Sequence, residues 1–236
     1  MALILNIETS TEVCSVFLSQ NGHLISKKES NEGFNHSKIL TVFIDELFKE
    51  NHIQPNMLDA VAVSKGPGSY TGLRIGVSVA KGLCYGLNIP LISVCSLETL
   101  GGFAAKNVKN FNGINGDTPI LFCPMIDARR MEVYTALYNS KGEEIRPVSA
   151  EIIDENFLSD LFETHKIMFF GNGAEKCKSH IKHKNAVFEG PLATSAEYMQ
   201  LIAEKKFGKN QFEDIAYFEP FYLKNFVATI PRNKVF

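Results

Sequence analysis

The spacing of apolar residues divides the chain into segments of different period. Leu3 to Glu8, Val13 to Ser19 and His23 to Glu29 are short β-type runs separated by turn residues. Asn21-Gly22, between the second and third, is a strong two-residue hairpin signal. From His36 to Glu50 the period lengthens. Ile39, Leu40, Phe43, Ile44, Leu47 and Phe48 recur every three to four residues, with Asp45, Glu46, Lys49 and Glu50 opposite them. That pattern predicts an amphipathic helix. Ala60 to Ser64 reads as a buried strand, Tyr70 to Leu87 as a helix and Pro90 to Val94 as another buried strand. Ser96 is placed to cap a helix running to about Ala105.

Asn107 to Asp117 is rich in Asn, Gly and Lys and reads as an exposed connection. Beyond it the order of elements repeats. Ile120 to Asp127, Glu132 to Tyr138 and Glu143 to Val148 are three strands, the last two joined at Lys141-Gly142. Asp154 to Glu163 reads as a helix, Ile167 to Phe170 as a strand, Gly171-Asn172-Gly173 as a glycine loop and Ala174 to Lys184 as a helix. Strand-strand-strand-helix-strand-helix thus occurs twice. Three antiparallel strands joined to parallel ones through helices make a ribonuclease-H-like unit. Two such units facing a cleft give an α/β protein of actin-like (ASKHA) architecture. The expected lobes are residues 1–105 and 118–236, and the pattern leaves open that the last segment packs back on the first lobe. Ligand sites in open α/β sheets lie beyond the carboxyl ends of the strands. Glu8 to Thr11, Lys65 to Ser69 and Gly171 to Gly173 are therefore the loops to examine.

Composition narrows the function classes. The chain has 236 residues and a formal charge of −2, so unaided grip on nucleic acid is not expected, because phosphate binding needs clustered Lys and Arg. Five scattered cysteines, none in a Cys-x-x-Cys pair, point to reduced thiols in the cytoplasm rather than a disulfide framework. The first residues lack a basic segment and reach Asn6 and Glu8 quickly, as a first strand does and a signal peptide does not. No apolar run approaches the roughly 18 residues of a membrane span.

Four stretches could carry chemistry. Ser64-Lys-Gly-Pro-Gly-Ser-Tyr-Thr-Gly72 follows a strand and opens a helix. Gly66 and Gly68 permit a tight turn and Ser69 can cap the helix, so the loop either turns the chain or offers an anion site at the helix N-terminus. It is not a Walker loop. Within the following helix, Gly72, Gly76, Ala80 and Cys84 form a ridge of small residues at spacing four, and Gly82 and Gly86 add two further glycines. Each interior glycine costs about 1 kcal/mol relative to alanine, so close packing must offset them. That packing is against either the chain's own sheet or a second subunit. Cys177-x-x-His180-x-x-His183 has a spacing reminiscent of metal ligands. Lys176, Lys178, Lys182 and Lys184 crowd it, and a solvated basic face is the simpler reading, so no metal is expected. Ser69, Ser10 and Cys14 are candidate nucleophiles, but His36, at a helix start, suits a capping or surface role as well as a catalytic one.

Three stretches together resemble the TsaB (YeaZ) family. They are Ile4-Leu-Asn-Ile-Glu-Thr-Ser-Thr11, Ser64 to Gly76 with Lys81-Gly82-Leu83, and Asp127-Ala-Arg-Arg-Met-Glu-Val-Tyr134. Gly171-Asn-Gly-Ala174 and Glu219-Pro-Phe-Tyr-Leu-Lys224 resemble it as well, so the likeness runs from about Leu3 to Lys224. It implies a cytoplasmic, non-catalytic partner of TsaD and the small ATPase TsaE. Together these make N6-threonylcarbamoyladenosine at position 37 of tRNAs reading ANN codons, and tRNA is met only through the complex. It implies no cofactor and no membrane association, with a homodimer when TsaD is absent. TsaD carries a His-Met-Glu-Gly-His metal motif where this chain has Ser96-Leu-Glu-Thr-Leu100, and Leu100 has no donor atom.

The expected partner surface is the pair of helices His36 to Glu50 and Tyr70 to Leu87. It comprises His36, Leu40, Phe43, Gly72, Leu73, Gly76, Val77, Ala80, Leu83 and Cys84. Actin-like kinases open with a glycine-containing phosphate hairpin, where this chain has Glu8-Thr-Ser-Thr11. Glu8, Thr9, Ser10, Gly66, Gly68 and Ser69 would thus retain at most a vestigial nucleotide or anion contact. A small-molecule kinase or ATPase of the same architecture is the alternative function, and a peptidase a third.

Overall fold

A computed structural model describes residues 2–33, 35–111, 118–190 and 192–224. The first half contains β1 (Leu3–Glu8), β2 (Cys14–Gln20), β3 (His23–Ser30), α1 (His36–Glu50), β4 (Ala60–Gly66), α2 (Tyr70–Leu87), β5 (Leu91–Cys95) and α3 (Ser96–Lys106). The second contains β6 (Ile120–Asp127), β7 (Glu132–Asn139), β8 (Glu144–Ile152), β9 (Lys166–Phe170), α4 (Ala174–Cys177), β10 (Ala186–Phe188) and α5 (Gln200–Gly208). The strands form two five-stranded sheets, ordered β3-β2-β1-β4-β5 and β10-β9-β6-β7-β8. In each, an antiparallel meander of three strands is extended by two parallel strands on the far side of its first member. This is the two-lobed α/β, actin-like arrangement. Asn21 and Gly22 both take left-handed φ, 53° and 71°, as the tight β2–β3 turn requires.

Three expectations need correction. Asp154 to Glu163 is a series of turns, with bonds such as Ser159 N to Asn156 O at 3.0 Å, because Leu158 sits at φ 57°, which an α-helix cannot contain. The helix after the Gly171 loop ends at Cys177 instead of Lys184. Only Cys177 and Ile181 bury a face there, and the lysines and histidines between them gain nothing from helical spacing. Ser96 is the first helical residue rather than the cap, and its hydroxyl meets that of Ser64 at 2.7 Å. Part of the Asn107 to Asp117 connection lies outside the described residues.

The two halves exchange their covering elements. Helix α3 packs against the second sheet, where Leu97, Leu100 and Ala104 join Phe122, Ala136 and Tyr138 in one apolar cluster. Conversely, the 3₁₀ turn Ala196–Met199 and α5 cover the first sheet, where Ala196, Met199 and Ala203 meet Ala2, Ile4 and Phe17. The other face of the first sheet receives α1 and α2 through Leu40, Ile44, Leu47, Val77, Ala80 and Cys84.

The ridge of small residues on α2 faces inward. A Cβ on Gly72 would sit 2.1 Å from the Thr9 carbonyl oxygen, and one on Gly76 2.2 Å from Thr9 Oγ1. Gly82 and Gly86, by contrast, have open space where their side chains would be. Gly82→Ala should therefore stabilise the protein by about 0.5–1 kcal/mol through helix propensity. Gly76→Ala should destabilise it by about 1–3 kcal/mol through overpacking. Urea midpoints of the two variants should move in opposite directions.

Candidate functional site

The carboxyl ends of β1, β4, β6 and β9 converge on a cleft of about 360 Å³ between the lobes. Ser10, Thr11 and Glu12 line one wall, Pro67 to Thr71 another, and Ile126 to Arg129 with Asn172 the opposite lobe. Phe221 to Lys224 cross the opening.

The loop after β1 and the loop after β4 are joined directly. Ser69 N donates to Ser10 O at 2.6 Å, and a Cβ on Gly68 would stand 2.1 Å from the same oxygen. Thr9 Oγ1 donates to Gly72 O at 2.9 Å, and Ser69 Oγ accepts from Gly72 N at 3.3 Å. The glycines of this loop thus admit the neighbouring backbone at the N-terminus of α2.

Glu8 lies beneath the closure and is fully buried. Its Oε1 accepts from Ser10 N at 2.6 Å, while Oε2 and Ser10 Oγ have no hydrogen-bond partner among the described residues. Burial pushes the Glu8 carboxyl above the ordinary glutamate range, and nearby polar groups of Ser10, Ser64 and Thr9 offset only part of this.

The remaining candidates are placed as follows. His36 is buried, with Nε2 3.2 Å from Val13 O. Cys14 is buried and its thiol is pushed up to about 12, chiefly by burial, so it is a poor nucleophile. Leu100 belongs to the apolar cluster under α3. Cys177 Sγ contacts Gly173 O at 3.2 Å, His180 pairs with Ser179 and His183 stacks on Phe162. Among the described residues, no group of three or more His, Cys, Asp or Glu is arranged to hold a metal ion. No helix among them is long and apolar enough to cross a membrane.

Eight of the ten residues expected at a partner surface are interior. His36, Leu40, Gly72, Leu73, Gly76, Val77, Ala80 and Cys84 are all buried within the chain, because α1 and α2 turn these side chains onto the first sheet and Thr9. Phe43 and Leu83 remain half-exposed.

The contacts of other residues around the cleft were not visible in the sequence. Lys176 is not on the solvated face, since its Nζ bonds Asp127 Oδ1 at 2.5 Å and the carbonyls of Arg130 and Glu132 at 2.7 Å. It thereby holds a turn in which Arg129 and Arg130 take φ of 70° and 53°. Asn172 bridges the lobes, donating from Nδ2 to Glu12 Oε2 at 2.7 Å and accepting from Asp127 N at 3.0 Å. The final described segment acts as a strap. Phe221 N donates to Lys65 O at 2.8 Å, the Tyr222 ring lies 5.0 Å from that of Tyr70, and Lys224 pairs with Glu132 on the other lobe. The strap was visible only as a motif, because partners 92 to 156 residues away leave no local pattern.

Comparison with known proteins gives a consistent result. The family model for TsaD, the tRNA N6-adenosine threonylcarbamoyltransferase, matches residues 30–218. The tRNA threonylcarbamoyladenosine biosynthesis protein TsaB of Bacillus subtilis is 33% identical over 229 residues, covering 94% of this chain and 93% of the relative. Its Escherichia coli counterpart is 32% identical, covering 95% and 96%. The structure of YeaZ from Pseudomonas aeruginosa superposes with a TM-score of 0.77 at 24% identity, covering 94% of this chain and all of that one.

The buried carboxyl gives a pH prediction. Its raised folded-state value means that the native protein binds the Glu8 proton more tightly than the unfolded chain does. Stability from this group is therefore lost as pH rises above about 4.5. Glu8→Gln should flatten that part of the stability–pH curve and be at least as stable as the parent at pH 7. Glu8→Ala, which leaves Ser10 N–H unpaired, should be about 1–3 kcal/mol less stable than Glu8→Gln. Thermal unfolding between pH 4 and 8 checks both.

Proposed function

Because this chain belongs to the TsaB (YeaZ) family, we propose that it serves the formation of N6-threonylcarbamoyladenosine in tRNA as a non-catalytic, cytoplasmic subunit. In this reading it activates a TsaD-type transferase, works alongside TsaE, and forms a homodimer when the transferase is absent.

The observation that carries the reading is the outward face of α2. Ile75 and Val79 are only half-buried at the margin of the first core, and Gly82 and Gly86 lie beside them with none of the described residues over their Cα atoms. Tyr85 is 84% exposed and Val42, on neighbouring α1, is 48% exposed. The inward glycines are explained by Thr9, whereas the outward pair is explained by nothing among the described residues. Two glycines flanked by aliphatic side chains let a second helix approach closely. TsaD is matched by the same family model, so pairing of like helices is geometrically natural.

A kinase or ATPase would need room for phosphates at the α2 N-terminus, which the Ser10–Ser69 bond closes. A peptidase would need a free nucleophile beside a base. Ser69 caps α2, and His36 is engaged with Val13.

The test is Val79→Arg and Tyr85→Glu on this face. Both should keep native circular dichroism and lose co-elution with the TsaD partner, because a charge is desolvated in the contact at a cost of about 2–5 kcal/mol. Folded variants that still co-elute would move the interface elsewhere. Ala80→Arg, at the inward face, should fail to fold.

A further inference from the structure

The net charge of −2 conceals a strong asymmetry. Between His165 and Lys184 there are five lysines against one glutamate, a net of +4, so the rest of the chain carries −6. Lys176 is consumed by Asp127, but Lys178, Lys182 and Lys184 are exposed and have no acidic partner among the described residues. His180 is exposed between them.

Burial of Cys177 and Ile181 fixes this stretch to the second lobe's core. The intervening side chains are thereby turned outward. The chain runs from the cleft end of β9, through α4, back to the start of parallel strand β10, where Ile167 N bonds Asn185 O at 2.8 Å. The three lysines therefore follow the flank of the lobe toward the end opposite the cleft.

We propose that this lysine-bearing flank, Lys178 to Lys184, contacts the phosphate backbone of a folded RNA while the chain sits in its complex. The inference rests on the tRNA-directed function above. Three observations select the partner's chemistry. Unpaired ammonium groups in a row suit a polyanion, in which each phosphate meets one point charge. The run exposes no Phe, Tyr or Trp ring, and its imidazoles are engaged, His180 with Ser179 and His183 against Phe162, so structured RNA is favoured over single strands. It also exposes no large apolar residue for a lipid surface, its one aliphatic, Ile181, being 4% exposed. Contact here is sequence-independent and adds affinity and orientation to whatever the catalytic subunit reads.

The experiment titrates a labelled, unmodified tRNA transcript with the complex of this chain and its TsaD partner, by fluorescence anisotropy at several salt concentrations. The triple variant K178E/K182E/K184E should weaken binding at least tenfold at low salt. The slope of log K against log salt should fall by roughly 2–3. K141E, a charge reversal at the β7–β8 turn, should leave both unchanged. Circular dichroism and co-elution with TsaD should match the parent, which separates this outcome from loss of the partner interface. If the parent chain does not co-elute with TsaD, the same comparison is made on the chain alone at low salt. Equal affinity and slope for parent and triple variant would overturn the proposal. So would equal loss with K141E, or an effect seen with anionic lipid vesicles and not with the transcript.

Discussion

The hydrogen bond from Ser69 N to Ser10 O organises this protein. It draws the loop after the first strand onto the N-terminus of α2, and the approach is close enough that Gly68 and Gly72 can carry no side chain. The same approach sets the rotation of α2 about its axis. With one row of small residues committed to Thr9, the flank bearing Ile75 and Val79 lies at the margin of the first core, beside the two uncovered glycines. The closed loops and the placement of α2 therefore have one geometric origin.

The closure also explains why the first sheet has a polar centre. Glu8 is held by the Ser10 amide and stands near Ser64, whose hydroxyl meets Ser96. Isolated in an apolar core, a carboxylate would cost several kcal/mol. Here the Ser10 amide supplies one strong backbone hydrogen bond, and burial raises the carboxyl's affinity for its proton. The second lobe solves its equivalent problem with charge: Lys176 satisfies Asp127 and two carbonyls of a turn whose φ values would otherwise be unfavourable.

Much of the fold was legible because its signals are local. The 3.6 period of α1 and α2, the Asn21-Gly22 turn and the repeated order of strands identified both sheets. Directions were harder. Spacing alone showed that Gly72, Gly76, Ala80 and Cys84 share a face, but only tertiary contact with Thr9 shows that the face is internal. Leu158 breaks an apparently helical segment through a left-handed backbone that no composition announces. Helix α5 escaped because only Ala203 of its nine residues is buried, so no stripe marks it. The strap Glu219 to Lys224 was visible as a motif, yet its partners Lys65, Arg74 and Glu132 are far away in sequence.

The exchange of covering elements has a consequence for synthesis on the ribosome. One face of the first sheet is covered by Ala196, Met199 and Ala203, and its edge strand β5 is completed by Glu213, whose N donates to Leu91 O at 2.9 Å. All of these residues emerge after the second lobe has been translated. At roughly 5–20 residues per second, Ala2, Ile4 and Phe17 wait on the order of ten seconds or more for their cover. The first lobe is thus begun first and finished last. During that interval a nascent chain presents bare apolar sheet, the kind of surface that holding chaperones bind. A stalled or truncated product ending before α5 would stay in that state, with α1 and α2 in place on one face of the first sheet and the other face exposed.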